Sequence, residues 1–423
     1  MATYRYYVGI DWATQAHQVC VLDGDGRRLL EKSVANTTEA LLEFGCELAA
    51  LAGAVCADLA VGIEVPHGAV VELLVEREFH VYAINPKQLD RFRDRHTVAG
   101  AKDDRRDALV LADSLRTDQK SFRRVQLDEA IIIELRELSR LERMLEHDLG
   151  RETNRLREQV HRISPHLLWE LCKGADEPWF WDLLSLVTQP QPVLRRAPIA
   201  ELLKRRRIRR FDADQVLAVV RAKPLPVAPG VLPAVQANIQ LLLPVVLALH
   251  AQAQRCQQRL TALLGMLAEP AGDDPGQSTE QRDVQIILSL PGVGRIVAAT
   301  LLAEASQPLA QQDYHTLRAQ AGVAPVTRQS GKKKVVVMRY SCNRHLREAF
   351  FHWARVSAQH DAHSKAQYAA YRARGHSHGR ALRGVADGLL RVLIAMLTAR
   401  TTYDPTRRGA SQTAADPAQG RTA

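Results

Sequence analysis

Apolar residues recur at alternate positions early in the chain and at every third or fourth position later, which predicts strands first and long helices after them. Residues 4–35 read as strand, turn, strand: "YYVGID" is apolar and β-rich, "HQVCVLD" alternates, and "GDGRRL" supplies a glycine-containing turn. "TEALLEFGCELAALAG" then has helical spacing, with Thr38 or Asn36 as its cap. "DLAVGIEVPHG" predicts a buried strand ending at Glu64, "AVVELLVEREF" an amphipathic helix and "HVYAIN" another strand, and Pro86 opens a loop or short helix. Such alternation predicts a sheet with helices on its faces, over residues 1–126.

From about residue 127 the period changes. Leu138, Leu141, Leu145, Leu149, Leu156, Val160 and Ile163 follow three-to-four spacing with charged residues between, which predicts a long helix, as a coiled-coil arm or as a bundle helix within one chain. The helical region over 127–280 is broken at "QPQPVLRRAP" and "KPLPVAPGVLP", and "EPAGDDPGQS" reads as a linker. A mainly helical domain covers 281–403, and residues 404–423 lack apolar periodicity and read as a disordered tail.

Composition narrows the functional classes. The 423 residues are 46% hydrophobic and 25% charged, with a net charge of +10, which favours a polyanionic partner. No run of about 18 uninterrupted apolar residues predicts a membrane span. The N-terminus has no signal-peptide pattern. Six cysteines without a CxxC pair argue against a zinc site or disulfide framework and fit a reducing cytoplasm.

The candidate chemistry begins with carboxylates. Asp11 ends one predicted strand and Glu64 another, where ligands collect in open α/β sheets. Asp104 and Asp107 are three apart at the start of a predicted helix, so they share one face. Like charges so placed need a cation between them, and four carboxylates suit Mg²⁺. Taken singly, Asp103 or Asp104 reads as a helix cap, and Asp107 as a partner for Lys102, Arg105 or Arg106.

"GIDWATQAHQVCVLD", "GIEVPHG", "INPKQLDRFR" and "AKDDRRDALVLAD" together resemble the DEDD transposases of the insertion-sequence one-ten family, also described as bridge-RNA-guided recombinases. The resemblance implies a RuvC-like, ribonuclease-H-type fold for 1–126, with Asp11, Glu64, Asp104 and Asp107 as the Mg²⁺-holding catalytic acids. The family usually has Thr where this chain has Asp103, a departure read as a bystander or cap, with substitution as a ligand the alternative.

The family's C-terminal transposase domain carries a G-[LV]-x-P segment followed by Ser-Gly, and Gly322, Pro325, Ser330 and Gly331 fit that pattern. The resemblance makes Ser330 the nucleophile, with Ser341 its nearest rival. Read from the residues alone, Ser330 sits in a loop whose glycine permits a sharp turn, and Lys332, Lys333 and Lys334 could hold a phosphate beside it. Ser-Gly turns followed by lysines are also common surface loops. "LSLPGVGRIVAATLLAE" fits a helix-hairpin-helix pattern in which Gly292 and Gly294 expose backbone N–H groups to a DNA phosphate, or else a plain turn between core helices. The run Lys204, Arg205, Arg206, Arg207, Arg209, Arg210 suits a nucleic-acid backbone or a solvated face.

The resemblance implies a bacterial, nucleoid-associated homo-oligomer that joins donor and target DNA under a noncoding bridge RNA, with no membrane role. Base pairing would then choose sequence while protein reads backbone and shape. The alternatives are a RuvC-like junction endonuclease without a covalent serine step, a phosphotransferase, for which further glycine-rich nucleotide loops are lacking, and a non-catalytic RNA-binding scaffold.

Overall fold

The computed structural model describes residues 4–53, 55–96, 103–125, 128–188, 195–268, 280–331 and 333–406. Two compact units divide the chain, Met1–Glu129 and Ala130–Ala423.

The first unit is a mixed α/β domain. Its elements run β1 (Tyr6–Asp11), β2 (Ala16–Asp23), β3 (Arg28–Ala35), α1 (Thr38–Ala52), β4 (Leu59–Ile63), α2 (Ala69–Glu76), β5 (His80–Ala83), α3 (Pro86–His96), α4 (Asp104–Asp118) and β6 (Arg123–Arg124). The sheet order is β3-β2-β1-β4-β5-β6. Strands β1, β2 and β3 pair antiparallel, while β4 lies parallel to β1 and β5 parallel to β4. This topology is consistent with a RuvC-like domain. Period-two alternation sorts the side chains: Val8, Ile10, Val19 and Val21 face Leu41, Phe44, Leu48 and Leu74 of α1 and α2. Tyr7, Cys20 and Leu22 face Ala108, Leu111 and Leu115 of α4 on the other side.

Two details differ from the sequence expectation. Residues 4–35 hold three strands rather than two, because β3 is largely open to solvent and carries little apolar signal. The cap of α1 is Thr37, whose hydroxyl accepts from the Ala40 N–H, rather than Thr38 or Asn36.

The second unit is mostly helical. Two long helices, α5 (Ala130–Ile163) and α10 (Val231–Ala268), pack along each other. Between them come α6 (Pro165–Glu170), α7 (Pro178–Val187), α8 (Arg196–Arg205) and α9 (Ala213–Arg221). After them come α11 (Glu280–Ser289), α12 (Arg295–Glu304), α13 (Ser306–Ala310), α14 (Tyr314–Gln320), the hairpin β7 (Val326–Ser330) and β8 (Lys333–Val337), then α15 (Arg344–His360), α16 (Ala362–Ala373) and α17 (His378–Ala399). One core joins the C-terminal half of α5 to α6–α9 and the first half of α10, around Trp179, Phe180 and Trp181. A second joins the other ends of α5 and α10 to α11–α17, around Phe350 and Trp353. The two long helices are therefore shared between both cores.

The buried positions of α5, among them Leu149, Leu156, Val160 and Ile163, follow the expected spacing and lie in the core it shares with α10 of the same chain. Leu141 departs from it and is exposed. By length and composition alone α10 could cross a membrane; Val235, Ile239, Leu243 and Val246 lie in the helical core, while Leu241 and Val245 are exposed. The "EPAGDDPGQS" linker and residues 407–423 of the tail lie outside the described residues.

Candidate active site

Asp11 is the last residue of β1, and Glu64 is the first residue past β4. The two strands are parallel with Gly9 opposite Gly62 and Ile10 opposite Ile63, so both acids emerge at the same end of the sheet on neighbouring strands. The start of α4 is brought over that end by a close approach. A Cβ at Gly9 would lie 1.9 Å from the Ala108 carbonyl oxygen and 2.6 Å from the Ala112 nitrogen. A Cβ at Gly62 would lie 3.1 Å from the Leu111 oxygen. Two glycines in adjacent strands thus let α4 lie directly on the sheet, which fixes Asp107, the residue before Ala108, beside the strand ends.

Asp107 is buried, and its partner is an arginine that sequence reading left unassigned. Arg93, on α3, donates from Nε to Oδ1 and from Nη2 to Oδ2 of Asp107, both at 2.6 Å. Its third nitrogen reaches Asp90 at 2.5 Å. This fork is a bidentate guanidinium–carboxylate pair, the strong form of the interaction. The hydrogen bond to Asp107 is the largest influence holding the guanidinium above its usual range, and the charges of Asp107, Asp90 and Glu64 add to it. Arg93 is therefore the cation that Asp107 faces in this structure.

Asp104 opens α4 and is exposed, as is Asp103. Asp103 is the N-cap, its carboxylate accepting from the Arg105 N–H at 3.2 Å. Hard oxygen donors at two strand ends and one helix face suit a divalent cation. As the side chains stand, no group of three or more His, Cys, Asp or Glu among the described residues converges on a single ion position.

Ser330 ends β7 instead of lying in a loop. It pairs with Lys333 of β8, and Gly331 takes φ +55° in the tight turn between them. Left-handed backbone favours glycine there, and it leaves the serine exposed at a hairpin tip. Lys334 lies opposite Gln329, and Lys332 lies outside the described residues.

In the "PGVG" turn, Gly292 is pressed against α15: a Cβ there would lie 2.6 Å from Ser357 Oγ. The Pro291 carbonyl accepts from Trp353 Nε1 and Ser357 Oγ. Gly294 has open space around it and caps α12. Asn343 caps α15 and donates to Glu304, which also takes a bidentate bond from Arg140.

Half of the basic run is occupied within its own unit. Arg205 and Arg206 donate to Asp182, and Arg210 donates to Glu177 while lying over Trp179 and Phe211. Lys204, Arg207 and Arg209 are exposed without a carboxylate partner among the described residues.

Residues 8–165 match the family model of DEDD transposases of the IS110 type, described as "Transposase". Residues 284–369 match a second model, described as "Transposase IS116/IS110/IS902 family". The chain belongs to the IS110/IS116 transposase family. Both models fall in the order that the carboxylate and serine segments require. The candidate transposase y4uE of Sinorhizobium fredii is 51% identical over 210 residues, which is 49% of this chain and 58% of that protein. The candidate transposase of the IS117 mini-circle of Streptomyces coelicolor is 29% identical over 95% of this chain and 96% of its own length. A protein of insertion element IS900 from Mycobacterium paratuberculosis is 28% identical over 94% of this chain. The DEDD family suggests divalent-metal dependence, and the donor chemistry of Asp11, Glu64, Asp104 and Asp107 fits it.

Proposed function

We propose that this IS110/IS116-family chain catalyses DNA strand exchange with Ser330 as nucleophile and Mg²⁺ held by Asp11, Glu64, Asp104 and Asp107. The observation that carries the reading is the placement of two acids at adjacent parallel strand ends beneath a helix that two glycines bring into contact. When bound, a divalent cation would offset negative charge on a reacting phosphate.

The chain's own residues do the rest. Arg93 holds Asp107 in one orientation through both carboxylate oxygens, and Asp103 fixes the first turn of α4 from which Asp104 projects. Ser330 Oγ attacks a DNA phosphorus; the phosphoserine ester forms as the bond to one deoxyribose oxygen breaks, and that oxygen leaves as a hydroxyl. A hydroxyl of the partner strand then attacks the ester, restores the serine and closes the new joint. Lys333 and Lys334 neutralise phosphate charge at the hairpin, and Lys204, Arg207, Arg209 and the Gly294 turn contact nucleic-acid backbone. Sequence choice falls to a noncoding bridge RNA, as the resemblance implies, and the active form is a homo-oligomer.

The test is a denaturing gel of labelled DNA incubated with Mg²⁺ and wild type, Ser330→Ala or Asp104→Asn. A covalent adduct in the wild type alone supports the serine mechanism. Cutting by Ser330→Ala without an adduct would instead establish a water-activating nuclease.

A further inference from the structure

A second cationic feature lies in the C-terminal unit, away from the serine itself. Behind the hairpin, a cavity of about 240 Å³ opens between the segment that follows β8 and the face of α17. Its lining includes Arg318, Arg339, Arg380 and Arg383 against a single carboxylate, Asp387. That carboxylate is already committed. It accepts from Arg318 Nε at 2.6 Å, from the Tyr314 hydroxyl at 2.7 Å and from Arg391 Nη2 at 3.1 Å.

Three arginines are left without an anion among the described residues. Arg383 is half-buried, and its hydrogen bond goes to Met338 Sδ at 3.2 Å, a weak acceptor. Arg339 reaches only the Ala324 carbonyl, at 3.4 Å. Arg380 is exposed one turn before Arg383 on the same helix face. The Nδ1 atom of His376, also in the lining, is shielded from solvent and has no hydrogen-bond partner among the described residues. Burial first, and then the like charge of Arg380, lower Arg383 from its usual range. A half-buried guanidinium without a carboxylate and beside a second guanidinium gains stability when an anion arrives.

We propose that this cavity is a phosphate site: it takes one phosphodiester group of a nucleic-acid strand between Arg383 and Arg380, with Arg339 at the rim. Arginine's planar fork suits the oxygens of such a group. Met338 follows β8, five residues from Lys333, so the held phosphate lies about 17 Å from the Ser330 end of the hairpin at about 3.3 Å per residue. The site fixes the strand at the foot of the hairpin, and it is independent of whether Ser330 is a nucleophile.

The experiment uses the full-length protein with inorganic phosphate and with three labelled probes: duplex DNA, single-stranded DNA and an RNA hairpin. Inorganic phosphate raises the melting temperature of the wild type but not of Arg383→Met, which without phosphate melts no lower than the wild type. In salt titrations, Arg383→Met or Arg380→Gln reduces the log–log slope by about one for the probe that occupies the site. A reduced slope with a DNA probe assigns the phosphate to DNA, and with the RNA probe to RNA. Arg383→Met melting earlier, with no phosphate response in the wild type, makes Arg383 a packing residue and overturns the proposal. Unchanged slopes for all three probes with the exposed Arg380→Gln overturn it as well, whatever the stability of Arg383→Met.

Discussion

Asp107 and Ser330, each central to the proposed chemistry, sit on opposite kinds of support. Asp107 is buried, gripped through both oxygens by Arg93, on a helix that lies against bare glycine backbone in β1. Ser330 is exposed at the tip of a two-stranded hairpin in which four of the five β7 residues face solvent. Val335 and Val336 of β8 are 40% and 58% exposed. A carboxylate that must meet a metal gains from being set in place beforehand, because reorganisation at the moment of reaction is then small. An isolated hairpin is marginally stable in water and can adapt to what it docks against. Changes around Asp107 should therefore act on stability first, and replacement of Ser330 itself on chemistry alone.

The largest effect is expected at Arg93. Arg93→Gln leaves a buried carboxylate without its cation, which should cost about 3 kcal/mol. Thermal or denaturant unfolding measures it. Mg²⁺ should then raise the variant's melting temperature more than the wild type's, since a ligand that binds only the native state stabilises it. A variant that melts like the wild type would mean that Asp107 is not held by this pair.

Gly9→Ala comes next. The added methyl meets backbone, not a flexible side chain, so α4 must move away from the sheet, at a cost of about 2 kcal/mol. Because that movement also displaces Asp107, strand exchange should fall more than stability predicts. Full activity with a lowered melting point would separate helix position from catalysis.

Asp103 gives a smaller effect that also decides a neighbour question. Asp103→Ala removes the cap of α4 and should cost about 1 kcal/mol. Asp103→Asn keeps a capping oxygen and should change neither stability nor activity appreciably. Loss of strand exchange in Asp103→Asn, matching Asp104→Asn, would make Asp103 a metal ligand.

These contrasts follow how much of each region was legible in the chain. Strand alternation and the Asp-x-x-Asp spacing placed Asp11, Glu64, Asp104 and Asp107 on their elements, because those signals are local. Arg93 was not legible, since its partner lies fourteen residues away on another helix. For the same reason, sequence could not divide the basic run into Arg205, Arg206 and Arg210, which serve Asp182 and Glu177, and the three cations left over. β3 and β7 escaped notice because exposed strands lose the apolar alternation that reveals buried ones. The "Ser-Gly" turn was legible, but its reading as a loop failed because Ser330 still makes the last strand pair before the turn.

The smallest stability change is expected where the chemical change is complete. Ser330→Ala removes one exposed hydroxyl that makes no hydrogen bond among the described residues, so stability should stay within about 0.5 kcal/mol. Gly331→Ala, one residue on, forces a side chain into φ +55° and should cost about 1 kcal/mol while the nucleophile remains. The pair therefore separates the hairpin's shape from its chemistry. Ser330→Ala should keep the wild-type melting temperature and lose the covalent adduct. Gly331→Ala should melt slightly earlier and form the adduct more slowly. Ser330→Cys should retain traces of adduct, since a thiol is also nucleophilic. If Ser330→Ala forms the adduct at the wild-type rate, the nucleophile lies elsewhere, and the exposed Ser341, before the helix that begins at Arg344, is the next residue to replace.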